Sequence, residues 1–438
     1  MSRIKRISKW IAIATGLLVA IALIANGVFA WQSERRFESK IAALRSAGEP
    51  TSLAELMPKP VPPERNAAVY LDRVASQLLV FEKAEGQFYE TPLGKSWEEA
   101  EEKRELPNPE QLAAIRAIVG ADTDILSALQ KAAACDAYVA QLDFKLPANA
   151  FLEQVINHRV SPIRRLARFV RWKMIMLIVD GKSEDAIVLG IEMLKVARLY
   201  DRQPLLVHYL VSVAVRGVIL DLLNVALRQG QVSDRVRREL EKELALQEDR
   251  KPFQQAFRSE RAFGISHMLE QLKGAPAYAR WPMRNWMLNE LEVLDWANRS
   301  ATQPWIIVRS QADEIAKEQQ DPVTLAGFDE KTLIGPSISA AFQAETRHLT
   351  LTRCLRVLNA LGAYFDRAGK DAESIDKLDL LPDAMIDPWS GESLRLKMTK
   401  DGWIVYSVWH NKKDDGGVIN FFEGDWGLAP VGHPYRFE

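Results

Sequence analysis

The chain has 438 residues, of which 47% are apolar and 26% are charged. This composition is typical of a folded protein with a sizeable core, and it excludes a disordered, collagen-like or disulfide-rich chain. The 57 basic and 58 acidic residues leave a net charge of −1, which argues against a dedicated nucleic-acid-binding protein. Because Cys135 and Cys354 are the only cysteines, a cysteine-built zinc site is excluded and the redox compartment stays open.

The N-terminus has the pattern of a membrane anchor. Residues 1–9 contain basic side chains and no acid, and residues 10–31 hold an uncharged stretch from Ile11 to Ala30 between two tryptophans. A helix of that length spans the hydrocarbon core of a bilayer, roughly 30 Å thick, with tryptophans at both interfaces. Since basic segments stay in the cytoplasm, we predict a single-pass protein of the inner (cytoplasmic) membrane, with the N-terminus inside and the bulk of the chain exported.

A cleaved signal peptide is the alternative interpretation of this segment. Asn26-Gly27 interrupts the apolar run, and Val28-Phe29-Ala30 resembles the small-residue pattern that precedes a cleavage site. Both interpretations export the rest of the chain.

The exported part divides into three segments. Residues 32–63 contain an amphipathic helical pattern over 33–47, and then five prolines between 50 and 63 that predict an extended spacer. Residues 64–340 are predicted to form stacked helical hairpins, because start signals such as Ser161-Pro162 alternate with short turns. Residues 341–438 are predicted to form a small α+β domain.

The segment from 205 to 227 is apolar on nearly every face, which would suit a second membrane span. Arg216 and Asp221 lie inside it, and central charges cost several kcal/mol in lipid. We therefore predict a helix buried in the bundle instead.

The last part of the chain changes from a helical to a strand pattern. Alternation over 394–398 and 403–408 predicts two strands joined by a turn at Asp401-Gly402, and 418–422 would add a third strand. The predicted fold class is thus mainly α: an N-terminal transmembrane helix, helical hairpins, and a small C-terminal α+β unit with an antiparallel hairpin or three-stranded sheet.

Several C-terminal motifs resemble a known family. Asp387-Pro388-Trp389-Ser390-Gly391 is followed by a hairpin, by Tyr406-Ser407-Val408, and by a loop from Asn411 to Gly417. This order resembles the head of the major pseudopilin of type II secretion systems over about residues 350–420. In that family the later loop binds calcium. The pseudopilins' processed leader and early glutamate are missing from residues 1–31, so the resemblance does not imply pilus assembly.

The whole chain resembles a broad group of uncharacterised bacterial membrane-anchored envelope proteins. Their shared pattern is an N-terminal anchor, helical hairpins, an Arg-Ala-Phe-Gly element and the same C-terminal tail. Ser259 to Gly264 matches the middle element. This resemblance implies an architecture and no activity.

Calcium is the sharpest hypothesis for a site. The resemblance implies a loop in which the side chains of Asn411, Asp414 and Asp415 and the backbone carbonyl of Val408 are metal ligands, with water completing the shell. The alternative is a solvated acidic turn whose aspartates bind their own backbone.

Two further clusters stand out. A basic run without an acid could bind phosphates or lipid headgroups, but pairing with acids such as Glu184 and Asp185 is the favoured interpretation; its members are Arg159, Arg164, Arg165, Arg168, Arg171 and Lys173. A tryptophan cluster is favoured as a core or inter-domain seam over an aromatic or membrane-facing surface; its members are Trp281, Trp286, Trp296 and Trp305.

The sequence contains no recognisable catalytic motif. The histidines are scattered, and acidic pairs such as Glu101-Glu102 lie in a segment expected to be exposed. We therefore predict a non-catalytic scaffold or interaction module with a protein partner in the envelope, and no catalytic or cofactor-binding residue is assigned. An exported hydrolase-like enzyme and a component of a secretion-like assembly are the alternatives.

Overall fold

The computed structural model describes residues 2–120, 123–157, 161–318, 334–420 and 424–432. It confirms a mainly helical protein with a small antiparallel sheet. The helices are α1 Ser2–Ser46, α2 Ala67–Arg73, α3 Ala75–Tyr89, α4 Pro92–Glu102, α5 Pro109–Val119, α6 Thr123–Ala133, α7 Ala148–Val155, α8 Ser161–Val179, α9 Ser183–Tyr200, α10 Leu206–Gln229, α11 Asp234–Leu246, α12 Lys251–Gly274, α13 Ala277–Ser300, α14 Trp305–Glu318 and α15 Ile334–Ala368. The strands are β1 Arg395–Thr399, β2 Gly402–Ser407 and β3 Trp426–Leu428.

Local capping signals account for many helix ends. Asn108 and Gln111 form a reciprocal capping box at the start of α5, and the Ser233 hydroxyl accepts a hydrogen bond from the backbone of Val236 in α11. Gly181 ends the turn after α8 with a φ of 73°, a conformation that glycine adopts without a steric penalty. The Ser233 cap explains why α11 begins where the sequence predicted, and Gly181 accounts for the chain reversal between α8 and α9.

The two largest hydrophobic cores hold most of the body together. The larger core joins α2–α6, α8–α11, α15 and the sheet, with Trp172 packed edge-on against Phe81 and Phe88. The second core joins α10 and α12–α15 to the loops around the sheet, and Phe342 lies at its centre. Since Val405 of β2 lies in the larger core, packing is continuous across residue 340, where the sequence suggested a domain boundary.

Helix α10 contains the two charges that argued against a second membrane span. The Arg216 side chain is 2% exposed and is paired with Asp201 and hydrogen-bonded to His348. Asp221 is paired with Arg104 at 2.9 Å. Two helices of the described chain, Ile7–Ser46 and Leu206–Gln229, are long and apolar enough to cross a membrane, but α10 is largely covered by protein. Its length and composition are those of a core helix.

The sheet has the order β1-β2-β3, with both pairs antiparallel. The predicted hairpin forms, with Thr399 opposite Gly402. The third strand lies later than predicted, at Trp426–Leu428. Within the predicted segment, Ile419 makes a single bridge to Asp425, and Phe421 and Phe422 lie outside the described residues. Alternation alone misplaced this strand because the paired segment is only three residues long.

Candidate functional site at the joint between the N-terminal helix and the helical body

Helix α1 has two halves with different surroundings. Its apolar half, residues 11–30, has exposed large side chains such as Leu18 and Leu23, whereas its docked half, residues 33–46, lies against the body. Phe37, Ile41 and Leu44 are nearly fully buried there. Their spacing of four and three residues places them on one helix face. The helix continues without a break from one half to the other.

We call the contact between the docked half and helices α12 and α13 the joint. Its apolar part is formed on the body side by Ile265, Met268, Leu272, Ala275, Ala279, Met283, Met287 and Leu291. Burying a side chain the size of Phe37 or Ile41 contributes about 1.5–3 kcal/mol. This burial is large enough to hold the helix in one position.

The ionic part of the joint is centred on Arg261. Its guanidinium is 3% exposed and pairs with both Glu49 and Asp295. Arg258 also reaches Glu49, at 2.9 Å, and Lys40 of α1 reaches Asp295. Because a buried charge without a partner is strongly unfavourable, these pairs fix α1, α12 and α13 in one arrangement.

The segment between α1 and α2 is part of the folded body. The sequence predicted an extended spacer over 50–63, but Leu53 is 4% exposed and its backbone N–H donates to the Ser266 hydroxyl at 2.7 Å. The backbone of Thr51 donates to Glu55, and the guanidinium of Arg45 donates to the Thr51 hydroxyl. Residues 53–56 are docked on α12, so the first part of the segment does not separate the body from α1.

Residues 259–261 of the Arg-Ala-Phe-Gly element lie at this joint. Glu260 accepts a hydrogen bond from the backbone N–H of Leu206 and so caps α10, and burial raises the pKa of its carboxyl. Leu205 has a φ of 79°, which is unusual for leucine and marks a constrained chain reversal. Next to it, a cleft of 580 Å³ is lined by Arg45, Glu49, Glu55, Arg202, Gln203 and Ser259, among others. Sequence reasoning assigned Ser259, Glu260 and Arg261 only to a family pattern, and it gave the other residues of the cleft no role.

A second buried ionic cluster lies between α9, α10 and α15. Burial raises the pKa of Asp201 to about 6, even though Arg216 opposes the shift. The Tyr209 hydroxyl donates to Glu345, and burial followed by Arg216 lowers the pKa of His348. These groups pair with one another inside the bundle, so they fix the register of three helices.

The predicted calcium loop is closed by hydrogen bonds within the protein. Asp414 accepts from the Tyr406 hydroxyl and from the Gly416 backbone, and the Asn411 amide donates to Asp415 at 2.9 Å. Both Asp414 and Asp415 are exposed. Val408 is buried, and its backbone N–H donates to Asp387. The structure therefore brings the four predicted residues onto one loop.

A residue outside the four predicted ligands supports this loop from inside. Asp425 is fully buried and accepts hydrogen bonds from the backbone of Asp415 and Gly417. Burial raises its pKa to about 6, against the effect of those two bonds. Among the described residues, no group of three or more His, Cys, Asp or Glu side chains is placed to hold one metal ion. A shell that also uses Asn411 and backbone carbonyls stays a prediction.

Three members of the basic run are paired, but with other acids than the sequence suggested. Arg165 and Arg168 bind Glu82, and Arg171 binds Glu101 at 2.6 Å. Glu184 instead accepts hydrogen bonds from Ser233. Glu101, expected in an exposed segment, is 14% exposed because it meets Arg171. Arg159 lies outside the described residues.

The tryptophan cluster divides into two pairs. Trp296 and Trp305 are buried in the second core, as expected for a seam. Trp281 and Trp286 are only partly buried, and the ring of Trp281 lies 5.3 Å from that of Phe29 in α1. The two cysteines, Cys135 and Cys354, are free thiols.

Asp387 has a structural role in the Asp-Pro-Trp motif. Its carboxylate accepts hydrogen bonds from the backbone of Trp389 and from the hydroxyls of Ser390 and Ser407. These bonds tie the motif to the end of β2.

Comparison of the chain with protein-family models, with curated proteins and with solved structures returns no match. The likeness to the pseudopilin head thus remains a resemblance of motifs.

Proposed function

We propose that the protein is a single-pass envelope protein, anchored in the inner membrane by α1, whose exported body is a non-catalytic interaction module. The observation that carries the proposal is the continuity of α1. One unbroken helix joins an exposed apolar half to a half that is docked on the body through the joint. An exposed apolar face of that length needs a lipid or protein environment.

The orientation follows from charge. Residues 1–9 contain four cationic side chains and no anion, which favours a cytoplasmic N-terminus. The body would then lie on the exported side. Because the joint buries both apolar and ionic contacts, the body is held at a fixed angle to the membrane.

The body offers exposed apolar side chains to a protein partner. Val80 is 71% exposed and Leu381 is 72% exposed, on parts of the surface away from the joint. Contiguous exposed apolar side chains mark contact surfaces, and Leu79, next to Val80, is also 50% exposed. Such surfaces support a role in protein interaction, which requires no catalytic centre.

Cross-linking in cells tests the interaction. A photo-activated amino acid replaces Val80 or Leu381 in the full chain, and the matched control carries it at Glu110, which is exposed and charged. We expect one recurrent envelope protein in the adducts from an apolar position and none from Glu110. A Val80→Asp or Leu381→Asp substitution in a competing copy should weaken that copy's competition. Equal, diverse adducts from all three positions would contradict the proposal.

An exported enzyme is the alternative, and one observation favours it. Glu85 is 4% exposed, and burial raises its pKa to about 7, against the effects of Arg168 and Arg171. A nearby cleft of 450 Å³ between α8 and α10 is lined by Glu82 and the same arginines. A Glu85→Gln variant that folds normally but no longer replaces the native protein in cells would favour this alternative. A secretion-like assembly rests only on the C-terminal resemblance.

Calcium binding at the C-terminal loop is a separate proposal. A ligand that binds only the folded state at 100 times its Kd adds about 2.7 kcal/mol to stability. We expect calcium to raise the Tm of the full chain and the Asp414→Ala/Asp415→Ala variant to lose that rise. Asp401→Ala/Asp383→Ala, at two exposed acids elsewhere, is the control. The same Tm with calcium and with chelator would leave the loop held by its own hydrogen bonds.

A further inference from the structure

The turn between α12 and α13 lies beside the end of the apolar half of α1. Three contacts run in step along the two helices: Trp281 with Phe29, Arg284 with Glu34, and Asp295 with Lys40. Because residue numbers rise together, α13 runs parallel to α1. The residues that precede Trp281 in α13 therefore lie beside earlier residues of α1, on the side of its apolar half.

The depth of the turn follows from helix geometry. With a rise of about 1.5 Å per residue, Ala277 lies about 6 Å beyond Trp281 in the direction of the bilayer centre. Phe29 itself belongs to the uncharged stretch that ends at Ala30. Ala25, Asn26 and Ala30 are partly covered, whereas residues 13–24 of α1 are exposed. The turn thus reaches below the level at which the apolar half ends.

We call residues 273–281 the hairpin tip, and its side chains suit a membrane interface. Tyr278 is 71% exposed, and Trp281 is partly exposed beside Phe29. Tyrosine and tryptophan favour the interface because one end of the ring system is apolar and the other end forms hydrogen bonds. Lys273 and Arg280 are exposed on the same tip. Cations at this depth meet lipid phosphates.

The cleft behind the tip has the same character. It has a volume of 690 Å³ and lies between α1 and the α12–α13 hairpin, with Phe37, Ile41 and Leu272 in its wall. Cationic side chains outnumber the two acids, Glu34 and Glu38, in its lining; they are Arg45, Lys273, Arg280 and Arg284. An apolar wall with a cationic margin complements an anionic phospholipid.

We propose that the hairpin tip is a second membrane contact, inserted among the phospholipid headgroups of the exported leaflet beside α1. The proposal rests on the anchoring of α1 proposed above. Contact at two places fixes the rotation of the body about the axis of α1 as well as its distance from the bilayer. The tip therefore determines which face of the body is turned toward a partner.

Depth-dependent fluorescence quenching tests this contact in the full chain. Single cysteines are introduced at Tyr278 in the tip, at Leu18 in the apolar half and at Val80 on α3, each in a Cys135→Ser background. Cys354 is fully buried, and the background protein without an added cysteine controls for its labelling. Each labelled protein is reconstituted in liposomes of phosphatidylcholine and phosphatidylglycerol, without bromine, with bromine near the headgroup end of the acyl chains, or with bromine near their methyl end.

We expect lipid bromine to quench the labels at positions 278 and 18 and to leave the label at 80 unchanged. Quenching at 18 without quenching at 278 would overturn the second contact and leave the anchor intact; the tip would then be free for protein contact. An absence of quenching at 18 would contradict the anchoring of α1 itself. Replacing phosphatidylglycerol by phosphatidylcholine should reduce quenching at 278 and not at 18, if the cations contribute.

Discussion

Arg261 is the residue on which the ionic part of the joint depends most. It is almost fully buried and joins two carboxylates that come from the segment after α1 and from α13. Lys40 and Arg258 supplement these pairs but are more exposed. One side chain therefore connects three segments that are far apart in the sequence.

Replacing Arg261 should destabilise the protein strongly. Arg261→Ala leaves Glu49 and Asp295 short of a buried partner, and breaking such a pair costs about 3–5 kcal/mol. Arg235→Ala is the matched control, because Arg235 is 69% exposed and its pair with Glu239 is worth about 1 kcal/mol or less. Urea unfolding of the full chain in detergent measures both. Equal shifts for the two variants would show that Arg261 has no special role.

Glu290 gives the stability a dependence on pH. Its side chain is 3% exposed, its Oε2 has no hydrogen-bond partner among the described residues, and burial raises its pKa from 4.5 to about 7. The folded state therefore holds a proton that the unfolded state releases above pH 4.5. Stability falls as pH rises from 4.5 through 7, by about 3 kcal/mol at 1.36 kcal/mol per unit.

Glu290→Gln should remove this dependence. We expect its Tm to exceed that of the native protein at pH 8 and to differ little at pH 4.5. Glu292→Gln, two residues along the same helix and exposed, should follow the native protein at both pH values. A native Tm that does not fall between these pH values relative to Glu290→Gln would contradict the assignment.

At the scale of elements, α3 and α4 approach closely at one glycine. A Cβ atom at Gly94 would lie 1.9 Å from the carbonyl oxygen of Phe88, which is backbone and cannot move aside. At Gly86, inside α3, a Cβ atom would meet nothing within 4 Å.

These two glycines should respond in opposite directions to alanine. Gly94→Ala forces the two helices apart and should lower the free energy of unfolding, whereas Gly86→Ala should raise it by about 0.5–1 kcal/mol because a helical glycine is entropically costly. Denaturant midpoints of the full chain measure both changes. A neutral Gly94→Ala would mean that the turn between α3 and α4 relaxes freely.

The sequence predicts elements well where the signal is local. Ser233 marked the start of α11 because capping involves residues within one turn, and Pro162 stands in the first turn of α8, where its missing N–H costs nothing. The pairing of Arg165 with Glu82 was not predictable, since the partners are 83 residues apart. The prediction of an extended spacer over residues 50–63 failed for the same reason. Their prolines are typical of a spacer, and only the distant Ser266 shows that the segment is docked.

The candidate site was even less accessible to sequence reasoning. Phe37, Ile41 and Leu44 show a helical face, but nothing local indicates that its partner is α12 and α13. For the calcium loop, the sequence located the acids but did not show that the buried Asp425 carboxylate binds the loop backbone across a turn. Local sequence patterns predict helix faces and turns. Which distant segments those faces and turns contact is determined by long-range packing.

At the scale of the whole molecule, the proposed anchoring of α1 would relate every surface of the body to the membrane. The helix enters the joint without a flexible link, so the body does not swing on a tether. The buried Arg216, paired with Asp201, keeps α10 in the body, which leaves α1 as the proposed membrane-crossing element. The function proposed for the body therefore depends on the side of the membrane that α1 assigns to it.

Labelling by a membrane-impermeant maleimide tests that assignment most directly. Full chains with an N-terminal epitope and a C-terminal affinity tag carry a single added cysteine at Ser8 or Val80 in the Cys135→Ser background. Protein labelled in intact spheroplasts is recovered through the C-terminal tag and then probed for the epitope. We predict labelling at position 80 in intact spheroplasts and at position 8 only after permeabilisation. The reverse pattern would place the body in the cytoplasm, and loss of the epitope from the labelled body would show that α1 is cleaved; either result contradicts the account.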